Sequence, residues 1–144
     1  MIEQDTIRLL RECDAGIQMG TSSIEQVVNR VKSPQFKQRL EVCKQEHQKL
    51  AQEIQKLLDR YQDEGKSPNP MAKGMSWIKT NLMMAADASD QTIADLMTDG
   101  CNMGVKSLNK YLNQYEAADE ETKDITKRLI NLEEKLTVDI RDFL

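Results

Sequence analysis

The amino-acid sequence predicts an all-α protein in which two antiparallel helical hairpins pack as a four-helix bundle, and three observations carry that prediction. Apolar residues recur at alternating spacings of three and four along four long stretches, the period of an amphipathic helix. Aromatic residues make up only 4% of the chain, with Gly 6 and Pro 3, whereas β-rich domains draw on β-branched and aromatic residues with frequent turn formers. Finally, Gly16-Ile17-Gln18-Met19-Gly20 is answered by Gly100-Cys101-Asn102-Met103-Gly104, an internal repeat at an offset of 84 (100 − 16).

The first helix is expected over 5–31, with Ile7, Leu10, Asp14, Ile17, Thr21, Ile24, Val28 and Val31 on one stripe. Lys32-Ser33-Pro34 stops it, because Ser33 suits an N-cap and Pro34 the first position of a new helix. The second helix, over 34–61, carries Phe36, Leu40, Cys43, His47, Leu50, Ile54, Leu57 and Tyr61. At 1.5 Å per residue each would run about 40 Å, and so short a connection folds them back into a hairpin.

Residues 62–70 read as a linker with Gly65, Pro68 and Pro70. Asn69 is expected to cap a short helix over 70–85 with Met71, Met75, Trp77, Ile78, Leu82 and Met83. A third long helix follows over 90–114 with Ile93, Leu96, Met97, Cys101, Leu108, Tyr111 and Leu112. After a turn capped by Asp119, the fourth covers 120–143 with Ile125, Leu129, Leu132, Leu136, Ile140 and Phe143.

The hairpins align as repeats. Lys49-Leu50, Glu53-Ile54 and Leu57-Leu58 meet Lys135-Leu136, Asp139-Ile140 and Phe143-Leu144 at an offset of 86 (135 − 49), which pairs His47 with Glu133. The organisation is one domain over 1–144: a hairpin at 5–61, a crossover at 62–89 and a hairpin at 90–144. Such a crossover is far longer than a tight turn needs and could traverse the bundle, so that the second hairpin begins at the opposite end from where the first finishes.

With that architecture, the repeat, and the segments Gly16–Gly20, 71–77 and Gly100–Gly104, the chain resembles the ferritin-like superfamily. More narrowly, it looks like bacterial stand-alone ferritin-like bundles of unassigned function whose crossover carries a short Trp-containing helix. The resemblance implies a di-iron site built from two Glu-x-x-His pairs and a glutamate from each remaining helix. The residues do not supply it. The matching tetrads are Lys44-Gln45-Glu46-His47 and Ile130-Asn131-Leu132-Glu133, so only the histidine of the first and a carboxylate in place of the second remain. No glutamate stands among Gly16, Ile17, Gly20, Gly100, Cys101 and Gly104. Ferroxidase or rubrerythrin-like activity is therefore not expected.

His47 is the single histidine, which excludes every one-chain site needing two. Its place on an apolar stripe is best explained as a hydrogen-bonded core histidine; the sharper alternative is a polar layer of His47, Glu133 and Asp14 that could hold a single divalent metal ion. Thr21, Thr98 and Asn102 are further candidates for that layer. The glycine pairs are expected to let the first and third helices pack closely, with room for a ligand as the alternative. Six methionines (Met71, Met75, Met83, Met84, Met97, Met103) suit a plastic core or interface better than a copper or haem site.

Cys13, Cys43 and Cys101 are odd in number and lack any CxxC, so buried reduced thiols are expected. No GxSxG, P-loop or GxGxxG is present. The net charge of −4, from 20 basic and 24 acidic residues with no basic stripe, argues against nucleic acid. The charged N-terminus and the absence of a long apolar run argue against a leader or a membrane span. The expectation is a cytoplasmic, non-enzymatic bundle without a cofactor, acting through protein contacts as a homodimer built on the Met- and Trp-bearing segment 71–84. The alternative is a metal or small-ligand binder centred on His47.

Overall fold

A computed structural model describes residues 2–63, 65, 78, 81–82 and 87–144. Among these there is no strand, and four long helices dominate: α1 (Ile2–Val27), α2 (Pro34–Arg60), α3 (Asp90–Gln114) and α4 (Glu120–Ile140). Short 3₁₀ turns extend α1 over Val28–Arg30 and α4 over Arg141–Phe143. Two of the starts follow the predicted chemistry, at Ser33-Pro34 and at Asp119, and Ser89 is a further cap that the sequence did not single out. Ser33, Ser89 and Asp119 accept from the backbone N–H of Phe36, Thr92 and Thr122, and Pro34 opens α2, where its missing N–H costs nothing. The short helix expected over 70–85, its Asn69 cap and the dimer face at 71–84 lie largely outside the described residues. Ile78 and Leu82 are helical and buried.

Contacts between helix ends set the topology. At one end, Asp5 Oδ2 accepts from Ala117 N at 3.1 Å and Thr6 Oγ1 from Asp119 N at 2.9 Å, tying the start of α1 to the turn between α3 and α4. Arg11 Nε donates to Asp63 Oδ1 at 3.0 Å, which brings the end of α2 towards this same end. At the other end, both carboxylate oxygens of Asp90 accept at 2.8 Å, from Lys32 N and Ser33 N, so α3 begins where α1 finishes. Asp63 and Asp90 therefore stand at opposite ends of the helices.

The buried seam of α2 is the one its spacing predicts, from Phe36 through Leu40, Cys43, His47, Leu50 and Ile54 to Leu57. In α1 the seam is different. The structure buries Leu10, Cys13, Ile17, Ile24, Val27 and Val31, a line that shares Leu10, Ile17, Ile24 and Val31 with the predicted stripe; Val28 of that stripe is buried as expected beside Val27, while Cys13 stands in place of Asp14 and Gly20, which faces His47, in place of Thr21. Both lines have 3-4 spacing. The observed one wins because it keeps a carboxylate and a hydroxyl out of the centre, where each would need a partner. Thr21 instead donates to the Ile17 carbonyl of its own helix at 2.8 Å.

Two apolar clusters fill the interior. One gathers Ile24, Phe36, Leu40, Ile93 and Ile140 near the α1–α2 connection, with Phe143 stacked on Phe36 at 4.7 Å between ring centroids. The other gathers Leu9, Leu10, Ile54, Leu58, Ile125 and Leu129 at the opposite end. His47 belongs to neither and sits between them.

Candidate functional site

Four helices meet at this gap. His47 of α2 is 1% exposed, and Glu133 of α4 is 12% exposed, its Oε1 lying 3.1 Å from His47 Nε2. The other imidazole nitrogen, Nδ1, lies 2.8 Å from the carbonyl oxygen of Cys43 one turn back in α2. A carbonyl only accepts, so Nδ1 carries a hydrogen. The Nε2···Oε1 contact then contains one proton, held by the imidazolium or by the carboxyl group. Burial alone would pull the imidazole down, but hydrogen bonding to Cys43 and to Glu133, with the charge of that carboxylate, pushes it up to about 10. Near neutral pH His47 is therefore held towards its protonated form.

The Cys43–His47–Glu133 sequence of contacts has the outline of a nucleophile, a base and an orienting acid. Its chemistry is different. The Cys43 thiol lies 3.5 Å from Nδ1, yet that nitrogen already carries a hydrogen directed at the Cys43 carbonyl, so it cannot take the thiol's proton. Cys101 of α3 stands beside Glu133; burial pushes its thiol up, and the neighbouring carboxylate pushes it further. Cys13 is pushed up to about 12 by burial, donating to the Thr126 hydroxyl, whose own hydrogen goes to the Thr122 carbonyl. All three cysteines are buried free thiols, as expected from their spacing.

Gly20 makes room for the imidazole. A Cβ there would lie 2.9 Å from His47 Nε2 and 3.2 Å from Cδ2, closer than a side-chain carbon approaches such atoms. Gly16 and Gly104 are different: a Cβ at either would find only ordinary contacts, at 3.9 Å to Leu129 and 3.8 Å to Glu133. The close packing of α1 on α3 expected from the paired glycines is thus not what the structure shows at mid-length. A cleft of about 270 Å³ opens there instead. Gly16 and Gly20 form part of one wall, Gly100 and Gly104 part of the other, and His47 and Glu133 lie at its floor. Met19, Met97 and Met103 add apolar surface, and Ser23, Ser107 and Tyr111 are among the other lining residues. Among the described residues no lysine or arginine lines the cleft.

The donors required by a di-iron centre are not assembled. Lys44 reaches out to Glu25 of α1, Nζ to Oε1 at 3.2 Å, and Ile130 is buried in an apolar cluster. Asp14 lies away from the pair, against Gly65: a Cβ on that residue would clash with the Asp14 carboxylate, and its φ of +80° is a second reason for glycine there. Of the other layer candidates, Asn102 is exposed and Thr98 Oγ1 is buried with no hydrogen-bond partner among the described residues. Among the described residues no three His, Cys, Asp or Glu side chains converge as metal ligands. Both imidazole nitrogens are already engaged, so a di-iron pair does not fit.

The sequence pointed to His47 and Glu133 through the repeat. It did not point to the Cys43 carbonyl, although Cys43 and His47 share the seam four residues apart, nor to Cys101, the repeat mate of Ile17. A shallower groove of about 220 Å³ runs between α2 and α4, with charged Arg39, Glu46, Lys135 and Asp139 around Cys43 and Val42. No helix among the described residues is long and apolar enough to cross a membrane. No protein-family model, curated protein or solved structure gives a significant match to the chain.

Proposed function

We propose that the chain is a ferritin-like four-helix bundle in which a ligand cleft occupies the place of the di-iron site, and that it works by binding a small organic molecule without catalysing a reaction. One observation carries this reading: three repeat-related pairs (Gly16 and Gly100, Gly20 and Gly104, His47 and Glu133) all line a single cleft. Four glycines in two helix interiors cost about 1 kcal/mol each relative to alanine. At Gly16 and Gly104 no neighbour among the described residues demands that cost, and the open volume beside them does account for it. A largely apolar concavity with a few convergent polar groups is the usual form of a small-molecule site. Of the two readings open from the sequence, the cleft supports the ligand binder over the protein-contact bundle, and its organic form over the metal form.

The test is a titration of the isotopically labelled protein with propylbenzene, a neutral molecule of suitable size, followed by two-dimensional NMR. Amide shifts centred on Gly16, Gly20, Cys101 and Gly104 are expected, and Gly104→Leu, which sends a side chain into the space, should abolish them. Absence of saturable shifts, or shifts centred elsewhere, would overturn the proposal.

A further inference from the structure

The floor of the cleft has a polarity that selects among ligands. His47 has no free nitrogen: Nδ1 donates to the Cys43 carbonyl and Nε2 shares its proton with Glu133 Oε1. The second carboxyl oxygen, Oε2, lies 4.0 Å from where a Cβ on Gly104 would stand, at the wall of the same cleft. Its character does not depend on where the shared proton resides. If His47 holds the proton, Oε2 belongs to a carboxylate; if Glu133 holds it on Oε1, Oε2 is a carbonyl oxygen. In both states Oε2 accepts a hydrogen bond.

A ligand reaching the floor therefore meets an acceptor. An anion would meet Glu133, with no lysine or arginine among the described lining residues to draw it in. An organic cation gains less than an isolated carboxylate would offer, because His47 already faces Glu133 at 3.1 Å, and it loses its hydration in an apolar cleft. A neutral molecule with one O–H or N–H donor avoids both penalties. Size follows from volume: an engineered 150 Å³ cavity takes benzene, so about 270 Å³ accommodates roughly ten non-hydrogen atoms.

Building on the cleft as a ligand site, we infer that its ligand is a small, neutral, largely apolar alcohol or phenol whose hydroxyl donates to Glu133 Oε2. The apolar body lies along the glycine-lined walls of α1 and α3 among Met19, Met97 and Met103.

Calorimetric titration at pH 7 with four matched probes tests this: 4-propylphenol, propylbenzene, 4-propylbenzoate and 4-propylbenzylammonium. The phenol should bind about tenfold more tightly than propylbenzene, the gain of one net hydrogen bond to a charged acceptor. The benzoate and the ammonium should bind more weakly than the phenol. In the double variant His47→Leu/Glu133→Leu, which replaces the polar floor by apolar side chains, the phenol should lose its advantage while propylbenzene still binds. Equal binding of phenol and propylbenzene to the unaltered protein, or tighter binding of either ion, overturns the inference and leaves the cleft as a ligand site. An advantage that survives in the double variant also overturns it. Failure of all four probes to bind overturns the ligand-site reading together with the inference.

Discussion

Replacing glycine by alanine at three positions of the paired motifs separates the role of space from the role of packing. A mid-helix Gly→Ala change gains about 1 kcal/mol from backbone entropy. At Gly16 and Gly104 the new Cβ meets only ordinary contacts, at 3.9 and 3.8 Å, so the gain should be kept. For a chain of 144 residues that corresponds to a rise in Tm of about 3 °C. At Gly20 the same methyl group stands 2.9 Å from His47 Nε2 and 3.5 Å from Glu133 Oε1. The imidazole cannot turn away freely, because its two nitrogens are held by Cys43 and Glu133. Overpacking of a filled interior costs about 1–3 kcal/mol, and loosening the His47–Glu133 bond about 1 kcal/mol more. Set against the entropic gain, Gly20→Ala should lose about 1–3 kcal/mol, lowering Tm by roughly 3–9 °C. In a His47→Ala background the obstructing ring is gone, and Gly20→Ala should again stabilise by about 1 kcal/mol. The resulting coupling of about 2–4 kcal/mol is well above the scatter of additive pairs. Thermal and urea unfolding of the four proteins of this cycle, with Gly16→Ala and Gly104→Ala as references, provides the assay. If Gly20→Ala stabilises as much as Gly16→Ala, or if its cost persists without His47, the packing argument is wrong.

Further expectations concern the pair and the helix ends. His47→Leu should destabilise by about 3–5 kcal/mol, because it strands a largely buried carboxylate. Adding Glu133→Leu should recover most of that loss, and urea unfolding of both variants checks it. The imidazole is pushed up to about 10 in the folded protein, above its unfolded value of about 6.5. Between those values the folded chain holds a proton that the unfolded chain has released. Its stabilising contribution is complete below about pH 6.5 and fades as pH rises through about 10, with the folding constant falling up to tenfold per pH unit. Denaturation midpoints between pH 6.5 and 8, before the thiols of the unfolded chain titrate, should fall in the unaltered protein and stay nearly level in Glu133→Gln; a level curve in both would refute this. Asp90→Ala removes the acceptor of two backbone N–H groups that join the hairpins, and a loss of about 1–2 kcal/mol is expected in the same unfolding assay. Cys13 and Cys101, buried and with thiols pushed up, should resist a disulfide reagent in the folded state and react promptly in denaturant.

The polar layer shows how this protein uses costly groups. A buried ion pair is weak evidence for stability, since apolar residues of similar volume often serve as well. His47 and Glu133 instead interrupt two apolar clusters and leave a hydrogen-bond acceptor facing the cleft. Gly20 accommodates the ring while Gly16, Gly100 and Gly104 line open volume. The paired glycine motif thus has two physical meanings within one helix.

Much of the architecture was determined by the sequence alone. The 3-4 spacing of α2 located its buried seam from Phe36 to Leu57, and Ser33, Pro34 and Asp119 marked helix starts because capping is local chemistry. The repeat brought His47 and Glu133 together across 86 residues (133 − 47), since equivalent positions of two packed hairpins face the same interior. Helical spacing could not decide between two seams of α1 that share Leu10, Ile17, Ile24 and Val31. Only packing against the other helices selected Cys13 and Gly20 over Asp14 and Thr21, moving Asp14 from the expected layer to the contact with Gly65. Spacing also could not say whether paired glycines admit a neighbouring helix or leave a gap. That outcome depends on the distance between α1 and α3, which is set by the side chains that all four helices must bury together.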